Sequence, residues 1–227
     1  MDFIVGEKFY SIADFVYSDG NEHPNYDFNI QRSTFDVRYL KEINIVYLHT
    51  MYKDIFFDLI KDLDKLFIVI THNSDVNINS TDNLPQNVIK WFSQNVNCLD
   101  DKLESIPIGL ENSRWLPHIN KKNIMINKLK TEKLSLNLVY LNHNTQTNEK
   151  ERVPPIDFLK NKNFVTMEIG ANGQNFENYA DKIYNHKFFV CPEGNGIDTH
   201  RLWECLYLKT IPIVKKNINN LFYNDLP

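Results

Sequence analysis

Short apolar runs alternate with amphipathic or polar stretches along most of this chain, and that alternation limits the folds it can adopt. The apolar runs are rich in Ile, Val, Phe and Tyr and have polar residues at their ends, which is typical of β-strands. Because the runs are nearly continuous, they suit strands that are buried on both faces of a parallel sheet. We predict strands at 43–50, 66–72, 104–110, 136–142, 163–169, 186–192 and 210–216.

Several of the stretches between these runs have helical spacing, with apolar residues that recur every three or four positions. The proline at position 85 also suits the first turn of a helix. We predict helices at 52–66, 85–92, 178–185 and 199–208. Strands that alternate with helices predict an α/β fold with mainly parallel sheets.

A change in composition divides the chain. Residues 116–135 are rich in Lys and Asn and follow a predicted strand. We therefore predict two small Rossmann-like domains, 1–129 and 130–227, each with about four strands, and an interdomain cleft. Ligands of such folds usually bind at domain junctions and at the carboxyl ends of parallel strands.

Charge and cysteine content exclude several classes of protein. The net charge is −4 and the pI is about 6.0, which argues against a general nucleic-acid binder. No apolar run approaches the roughly 20 residues that span a bilayer, and the first residues do not read as a signal peptide. Three cysteines without a CxxC spacing predict neither a disulfide framework nor a zinc site. We expect a cytoplasmic protein with no membrane segment and no nucleic-acid partner.

The segment 191–214, CPEGNGIDTHRLWECLYLKTIPIV, has two glycines, two acidic residues, a histidine and an arginine among its first dozen residues. Pro192 ends a predicted strand, Gly194 and Gly196 permit positive φ and close backbone approach, and a helix follows. Asp198 or Thr199 suits the N-cap of that helix. A strand, a glycine loop and a helix N-terminus together form a site for a phosphate or diphosphate, because free N–H groups and the helix dipole favour an anion.

Arg201 and Glu204 lie on one face of the predicted helix. An Arg in the first turn opposes the helix dipole, so it makes better sense as the partner of an anion, which its guanidinium can hold bidentately. Glu204 would then orient Arg201 or accept hydrogen bonds from ribose hydroxyls. The alternative is an internal Arg201–Glu204 salt bridge on an ordinary helix.

Residues 188–214 resemble the C-terminal nucleotide-sugar motif of exostosin-like GT-B glycosyltransferases, and are similar to the corresponding segment of α1,3-fucosyltransferases. In those families the helix precedes a short strand that begins with Gly, and Lys209 stands in that place here. The resemblance implies a compact GT-B-like fold in which Arg201 contacts the nucleotide diphosphate and Glu204 contacts the ribose or base. It also implies that the 193–199 loop contacts the sugar or phosphates, which makes candidate binding residues of Glu193, Gly194, Asn195, Gly196, Asp198 and Thr199.

The resemblance also implies that a basic residue after the first strand of the C-terminal domain reaches the donor phosphates. Arg152 is the first candidate and Lys150 the second, and a second cation would help to neutralise a diphosphate leaving group. The alternative is a solvated charge cluster that opens a helix. The GT-B resemblance further implies additional helices after the last strand, one of which often crosses back to the first domain. Either the family is minimal here, or the chain is a fragment with a truncated C-terminal domain.

His72 and Asp75 follow the predicted strand 66–72 and are the candidates for a general base that deprotonates an acceptor hydroxyl. The alternative is a turn cluster, because Asn, Ser and Asp readily bond to nearby backbone. The loop 170–173 is another candidate cleft loop, and a plain turn is the favoured alternative. Asp62-Leu63-Asp64 matches a metal motif of other glycosyltransferases but falls within a predicted helix, so we expect catalysis without a metal and no cofactor besides the donor.

These patterns and the resemblance predict a metal-independent glycosyltransferase that uses a nucleoside-diphosphate sugar and a carbohydrate or other hydroxyl acceptor, and the resemblance implies that it inverts. A non-catalytic carbohydrate- or nucleotide-binding module derived from such an enzyme is the main alternative. An epimerase or a phosphatase is a further alternative, although no GxGxxG follows an early strand as an epimerase would require.

Overall fold

The computed structural model describes residues 3–17, 33–112, 119–169, 175–221 and 223 of the chain. It shows an α/β protein with one six-stranded and one four-stranded sheet. Every pairing between its strands in these ranges is parallel. The predicted fold class, two Rossmann-like α/β units with parallel sheets, is therefore confirmed.

The chain divides into two compact units. The first unit comprises Ile4–Ile108 and Asn217–Leu226, and the second comprises Gly109–Lys216 and Met1–Phe3 with Pro227. The composition break near residue 130, where we predicted the boundary, falls at the end of a helix within the second unit.

The first unit contains the six-stranded sheet, in the order β2-β1-β3-β4-β5-β6. Phe67, Val69 and Trp91 pack on one face with the helix that follows β3, while Tyr47 and Ile70 pack on the other face with the first helix. Its elements in chain order are α1 (Gly6–Ser11), β1 (Phe15–Tyr17), β2 (Ser33–Thr34), β3 (Ile43–His49), α2 (Lys53–Ile60), β4 (Leu66–His72), β5 (Val88–Ser93) and β6 (Leu103–Ser105), and the chain returns to this unit at α7 (Ile218–Leu221).

The second unit contains the four-stranded sheet, in the order β10-β9-β7-β8. The chain moves outward from β7 to β8 and then restarts on the other side of β7 with β9, so the strand order reverses between β7 and β9. Ligands of open parallel sheets bind at such a reversal, outside the carboxyl ends of the strands. The elements are α3 (Ile119–Leu129), β7 (Asn137–Leu141), α4 (Glu149–Leu159), β8 (Val165–Met167), α5 (Phe176–Tyr184), β9 (His186–Val190), α6 (His200–Tyr207) and β10 (Ile211–Ile213).

Both faces of the second sheet are packed. Val139, Leu141 and Val190 form a cluster with Ile156 and Leu159 of α4 on one face. On the other face, Tyr140 and Phe189 stack with ring centroids 5.1 Å apart, and Tyr179 of α5 packs edge-on against Phe189. Arg201 of α6 lies over this aromatic face, above the Phe189 ring.

Six of the seven predicted strands contain an observed strand, with the same or shorter bounds, whereas the predicted strand at 104–110 overlaps β6 only at Glu104 and Ser105. The predicted helix at 85–92 is wrong, because this segment forms β5. Val88, Trp91 and Ser93 are buried there between β4 and β6, and β-branched and aromatic side chains suit that position.

Helix α2 is also shorter than predicted and ends at Ile60. Asp62-Leu63-Asp64 therefore lies in the turn between α2 and β4 and not within a helix, as we had predicted.

Candidate functional site

Arg152 connects the two loops that flank the reversal in strand order. It lies on α4 and is 8% exposed. Its Nε donates to the Glu193 carbonyl at 3.0 Å, after β9, and its Nη1 donates to the Asn144 carbonyl at 2.8 Å, after β7. Burial and, to a smaller extent, the nearby charge of Arg201 lower the pKa of Arg152 to about 10. Two of the cations named from sequence are therefore close enough to repel each other.

The glycine loop is folded against this arginine. A Cβ at Gly194 would lie 3.1 Å from Arg152 Nη2, so the absence of a side chain lets the backbone approach the guanidinium. Asn148 Nδ2 donates to the Gly194 carbonyl at 2.8 Å, and the Gly194 N–H donates to the Gly196 carbonyl at 3.0 Å. Asn195 is exposed at the tip of the loop.

The two loop glycines permit positive φ but do not adopt it, since Gly109 is the glycine with positive φ in the described ranges. Gly194 therefore serves close packing of the loop against Arg152 and not a left-handed turn.

The N-terminus of α6 has no side-chain cap. Thr199 occupies the N-cap position, but its side chain makes no cap hydrogen bond. Asp198 turns inward, where both of its carboxylate oxygens accept from Trp203 Nε1 at 2.9 and 3.0 Å. The backbone N–H groups at the start of the helix therefore keep capacity for an external acceptor.

Arg201 lies beside this helix start with unused donors. The residue is partly exposed, but its Nε and Nη1 atoms are buried and have no hydrogen-bond partner among the described residues. The guanidinium carbon lies 5.6 Å from the centre of the Phe189 ring, within cation–π range. A buried guanidinium with two unfilled donors is costly unless a further acceptor arrives.

Glu204 is connected to Arg201 through a tyrosine that the sequence did not point to. The Tyr179 hydroxyl interacts with Arg201 and donates to Glu204 Oε2 at 3.0 Å. Burial raises the pKa of Tyr179 well above its usual value, and the Glu204 charge raises it further. Within the part of the chain that the structure describes, no direct ion pair joins Arg201 and Glu204. A tyrosine on an amphipathic helix looks like an ordinary core residue in sequence, so it gave no signal.

His143 is a second residue of this cluster that was not among the candidates. It follows β7, is 1% exposed, and places its Nε2 at 2.8 Å from the Arg152 carbonyl, so Nε2 carries the proton. Its Nδ1 is buried without a hydrogen-bond partner in the described ranges. Burial lowers the pKa of His143 to about 4, and the charges of Arg201 and Arg152 contribute to the shift. The imidazole is therefore neutral near neutral pH and offers an unfilled acceptor.

A cavity of about 390 Å³ lies beside the glycine loop, at the carboxyl ends of β9 and β10. Its volume is in the range of small-molecule pockets. Lys215 Nζ bonds both carboxylate oxygens of Glu151 at 2.8 Å at this cavity, whereas Lys150 has no polar partner among the described residues. The cavity is lined by Lys150, Glu151, Pro154, Pro155, Val190, Pro192, Glu193, Ile213, Val214 and Lys215.

His72 and Asp75 differ in their surroundings in the first unit. His72 is 1% exposed, its Nε2 lies 3.1 Å from the Pro107 carbonyl, and its Nδ1 lies 3.2 Å from Asn73 Oδ1. Asp75 is exposed. Asn73 between them has a φ of 59°, a left-handed conformation that Asn tolerates better than most residues. The His72 imidazole therefore holds the end of β4 in place through its hydrogen bonds, while the Asp75 side chain is exposed to solvent.

Three further expectations concern the loop 170–173, metal binding and membrane-spanning helices. Residues 170–173 lie outside the described residues. Where side chains are described, no group of three or more His, Cys, Asp or Glu residues is arranged to hold a metal ion. None of the described helices has the length and hydropathy to cross a bilayer.

Comparison with known proteins leaves the family open, because no family model matches the chain and no curated protein matches it.

Proposed function

We propose that the chain is a glycosyltransferase that moves a sugar from a nucleoside-diphosphate sugar to an acceptor hydroxyl, with inversion and without a metal ion. The observation that carries this proposal is Arg201, whose buried Nε and Nη1 donors are unfilled beside the uncapped start of α6. The site stands where the strand order of the second sheet reverses, which is the usual place for a ligand in such a sheet.

The balance of charge supports an anionic group at this position. Arg152 and Arg201 bring two positive charges, and the mutual repulsion contributes to the lowered pKa of Arg152. Glu204 supplies one carboxylate, which acts on Arg201 through Tyr179. A diphosphate would accept hydrogen bonds from Arg201 and the α6 N–H groups, and would stabilise both guanidiniums. In the transfer step the same groups would stabilise the charge that develops on the departing diphosphate.

The cavity beside the loop suits a further part of the donor. Glu193 lines this cavity and also belongs to the loop that Arg152 binds. Lys150 lines the cavity as well, and its ammonium group has no polar partner among the described residues. Lys150 would therefore contribute to donor binding as the resemblance implies. For the acceptor, Asp75 is the better candidate base of the two, since its carboxylate is exposed whereas the ring nitrogens of His72 are engaged.

Ligand-induced stabilisation tests the proposal. Inorganic pyrophosphate and a panel of UDP-, GDP-, CMP- and dTDP-sugars are added to the chain, and the shift in melting temperature is measured. We expect pyrophosphate and one class of sugar nucleotide to stabilise the chain. Arg201→Ala should weaken that binding about 10- to 100-fold, since a charge-assisted hydrogen bond contributes roughly 1.5–3 kcal/mol.

Arg38→Ala is the matched control, because Arg38 is an exposed arginine that pairs with Asp36. It should leave the binding unchanged. Equal binding by wild type and Arg201→Ala, or no stabilisation by any of these compounds, would refute the proposed donor site.

A non-catalytic nucleotide-binding module is the second candidate function, and the enclosure of His72 favours it. It would use the same arginines and helix start, but it would lack an effective base. Slow release of nucleoside diphosphate from the sugar nucleotide that binds, lost in Arg201→Ala and reduced in Asp75→Asn, supports the enzyme. Binding without any release supports the module.

A further inference from the structure

His200 is the first residue of α6, and it has one ring nitrogen engaged and the other open. Its Nδ1 lies 2.7 Å from the Gly109 carbonyl, and both residues belong to the second unit. A carbonyl oxygen can only accept a hydrogen bond, so Nδ1 carries the proton, and Nε2 of the neutral ring is an acceptor. The ring is half-buried, and Nε2 is not buried and has no hydrogen-bond partner among the described residues.

The bond to Gly109 holds this ring in one orientation. Gly109 has a φ of 67°, a left-handed conformation that glycine adopts without steric cost. The carbonyl that accepts from Nδ1 therefore belongs to a backbone turn that suits glycine. A ring that is fixed through Nδ1 presents its Nε2 lone pair in a fixed direction.

The open nitrogen lies at the uncapped start of an eight-residue helix. Thr199 before it makes no cap hydrogen bond, and Arg201 after it has buried Nε and Nη1 donors that are unfilled among the described residues. An anion that accepts from the first N–H groups of a helix lies near the side chain of the first helical residue. A group that is attached to such an anion therefore lies within reach of His200.

The chemistry of a neutral imidazole nitrogen limits what it can bind there. Phosphate oxygens and the Nε2 lone pair are all acceptors, so they do not pair with each other. A hydroxyl is complementary, because its hydrogen can be donated to Nε2. A sugar nucleotide carries hydroxyls on its pentose and on its sugar, on either side of the diphosphate.

We propose that His200 is a specificity-determining residue that accepts a hydrogen bond from a hydroxyl of the bound sugar nucleotide, on the pentose or on the sugar. The inference rests on the proposed donor site and names a part of the ligand that is recognised beside the diphosphate. Arg201 and the helix start would bind the diphosphate, and His200 would favour ligands that carry the hydroxyl. A site built to pair with a hydroxyl rejects a ligand that lacks it, since the polar group is then left unpaired.

Three kinds of ligand test the proposal on the intact chain. Pyrophosphate has no hydroxyl, the nucleotides UDP, GDP and dTDP add those of the pentose, and their sugar nucleotides add those of the sugar. Dissociation constants are measured by calorimetry at about pH 8, above the range in which histidines ordinarily titrate. We expect His200→Phe to bind pyrophosphate as wild type does and to bind the sugar nucleotide about 3- to 10-fold more weakly. A loss that is already present with the nucleotide assigns the hydroxyl to the pentose, and a loss with the sugar nucleotide alone assigns it to the sugar.

Two amide variants separate ligand binding from the bond to Gly109. The amide of His200→Asn can take the place of Nδ1 and donate to the Gly109 carbonyl, but it has no atom at the position of Nε2. The amide of His200→Gln can place its oxygen near the position of Nε2. Gln should therefore recover more of the affinity for the sugar nucleotide than Asn does, whereas a purely structural role predicts the reverse order.

The outcomes distinguish this contact from the donor site itself. The inference is overturned if His200→Phe binds all three kinds of ligand as wild type does, if it loses pyrophosphate as strongly as the sugar nucleotide, or if Asn recovers more affinity than Gln. Pyrophosphate binding that is weakened in Arg201→Ala would leave the donor site standing in each of these cases. If wild type binds neither pyrophosphate nor any of the sugar nucleotides, the donor site is refuted and this inference with it.

Discussion

His143 is a neutral, enclosed imidazole among cations. The Arg152 carbonyl fixes its Nε2 proton, and burial keeps its pKa near 4 while the two arginines oppose its protonation. An unfolded histidine titrates near about 6.5. The unfolded chain therefore binds a proton between these two values that the folded chain does not bind, so the free energy of unfolding rises with pH in this window. The stability is complete above the unfolded pKa and falls as the pH drops toward about 4.

His143→Gln should remove this pH dependence. A Gln side chain can still donate to the Arg152 carbonyl, but it does not titrate. Between about pH 7 and about pH 5, wild type should lose on the order of 2 kcal/mol more unfolding free energy than the variant. Urea denaturation at the two pH values measures the difference. Equal losses in the two proteins would show that His143 is not held neutral in the fold.

Sequence reasoning found the residues whose role follows from a local motif and missed those whose role depends on tertiary neighbours. Arg201 and Gly194 stand in a strand–loop–helix segment that can be read in one pass, and Arg152 came from a resemblance. Tyr179 joins the cluster only because α5 packs beside α6, and no spacing in the sequence encodes that contact. His143 gives no signal in the sequence, because its unfilled Nδ1 depends on its burial in the fold.

At the scale of elements, α6 ends in a Schellman motif whose left-handed position is occupied by a lysine. The Lys209 N–H donates to the Leu206 carbonyl and the Thr210 N–H donates to the Cys205 carbonyl, the paired bonds of a Schellman motif. This motif needs a left-handed residue, and Lys209 has a φ of 56°. Lys133 Nζ adds a cation at the Leu208 carbonyl. The helix therefore ends in the geometry that glycine prefers, with lysine in its place.

Lys209→Gly should stabilise the second unit. The left-handed conformation costs a residue with a Cβ roughly 1–2 kcal/mol, and glycine escapes that cost but gains freedom in the unfolded chain. We expect a net increase of about 1 kcal/mol in the unfolding free energy, measured by urea denaturation. Lys209→Ala is the control, since it removes the same charge but keeps the Cβ, and it should give no increase. A similar gain in both variants would assign the effect to charge.

The sequence predicts long, continuous strands well. It does not distinguish a strand from a helix in short segments. The run at 66–72 forms β4 over the predicted residues, because a continuous β-branched run in an α/β chain has few alternatives. The segment 85–92 is too short to distinguish the two periodicities, and Pro85 biased it toward a helix. The segment forms a strand because it pairs with β4 and β6, and those partners lie elsewhere in the chain. Likewise β1 and β2 are too short to give a signal.

At the scale of the whole molecule, the first unit is discontinuous in sequence. After β10 the chain leaves the second unit, and Asn217–Leu226 belongs to the first. Asn219 on α7 anchors this return, because it is 1% exposed and its Oδ1 accepts from Ser105 Oγ of β6 at 2.8 Å. Ser105 Oγ also lies 3.2 Å from the Tyr223 hydroxyl, so two contacts join β6 to residues that follow the second unit in sequence.

Asn219→Ala should destabilise the first unit alone. The substitution leaves the buried Ser105 hydroxyl without its amide partner and removes the packed side chain, which costs about 1–2 kcal/mol. Hydrogen exchange should therefore become faster in β5 and β6, by roughly 5- to 30-fold if these amides exchange through unfolding of the unit. Amides of β7 and β9 should keep their protection, and Lys209→Gly should give the reverse pattern, with slower exchange in the second unit only. Equal acceleration in both sheets of Asn219→Ala would mean that the two units unfold as one, in which case the free energies of the two variants should add within a single transition.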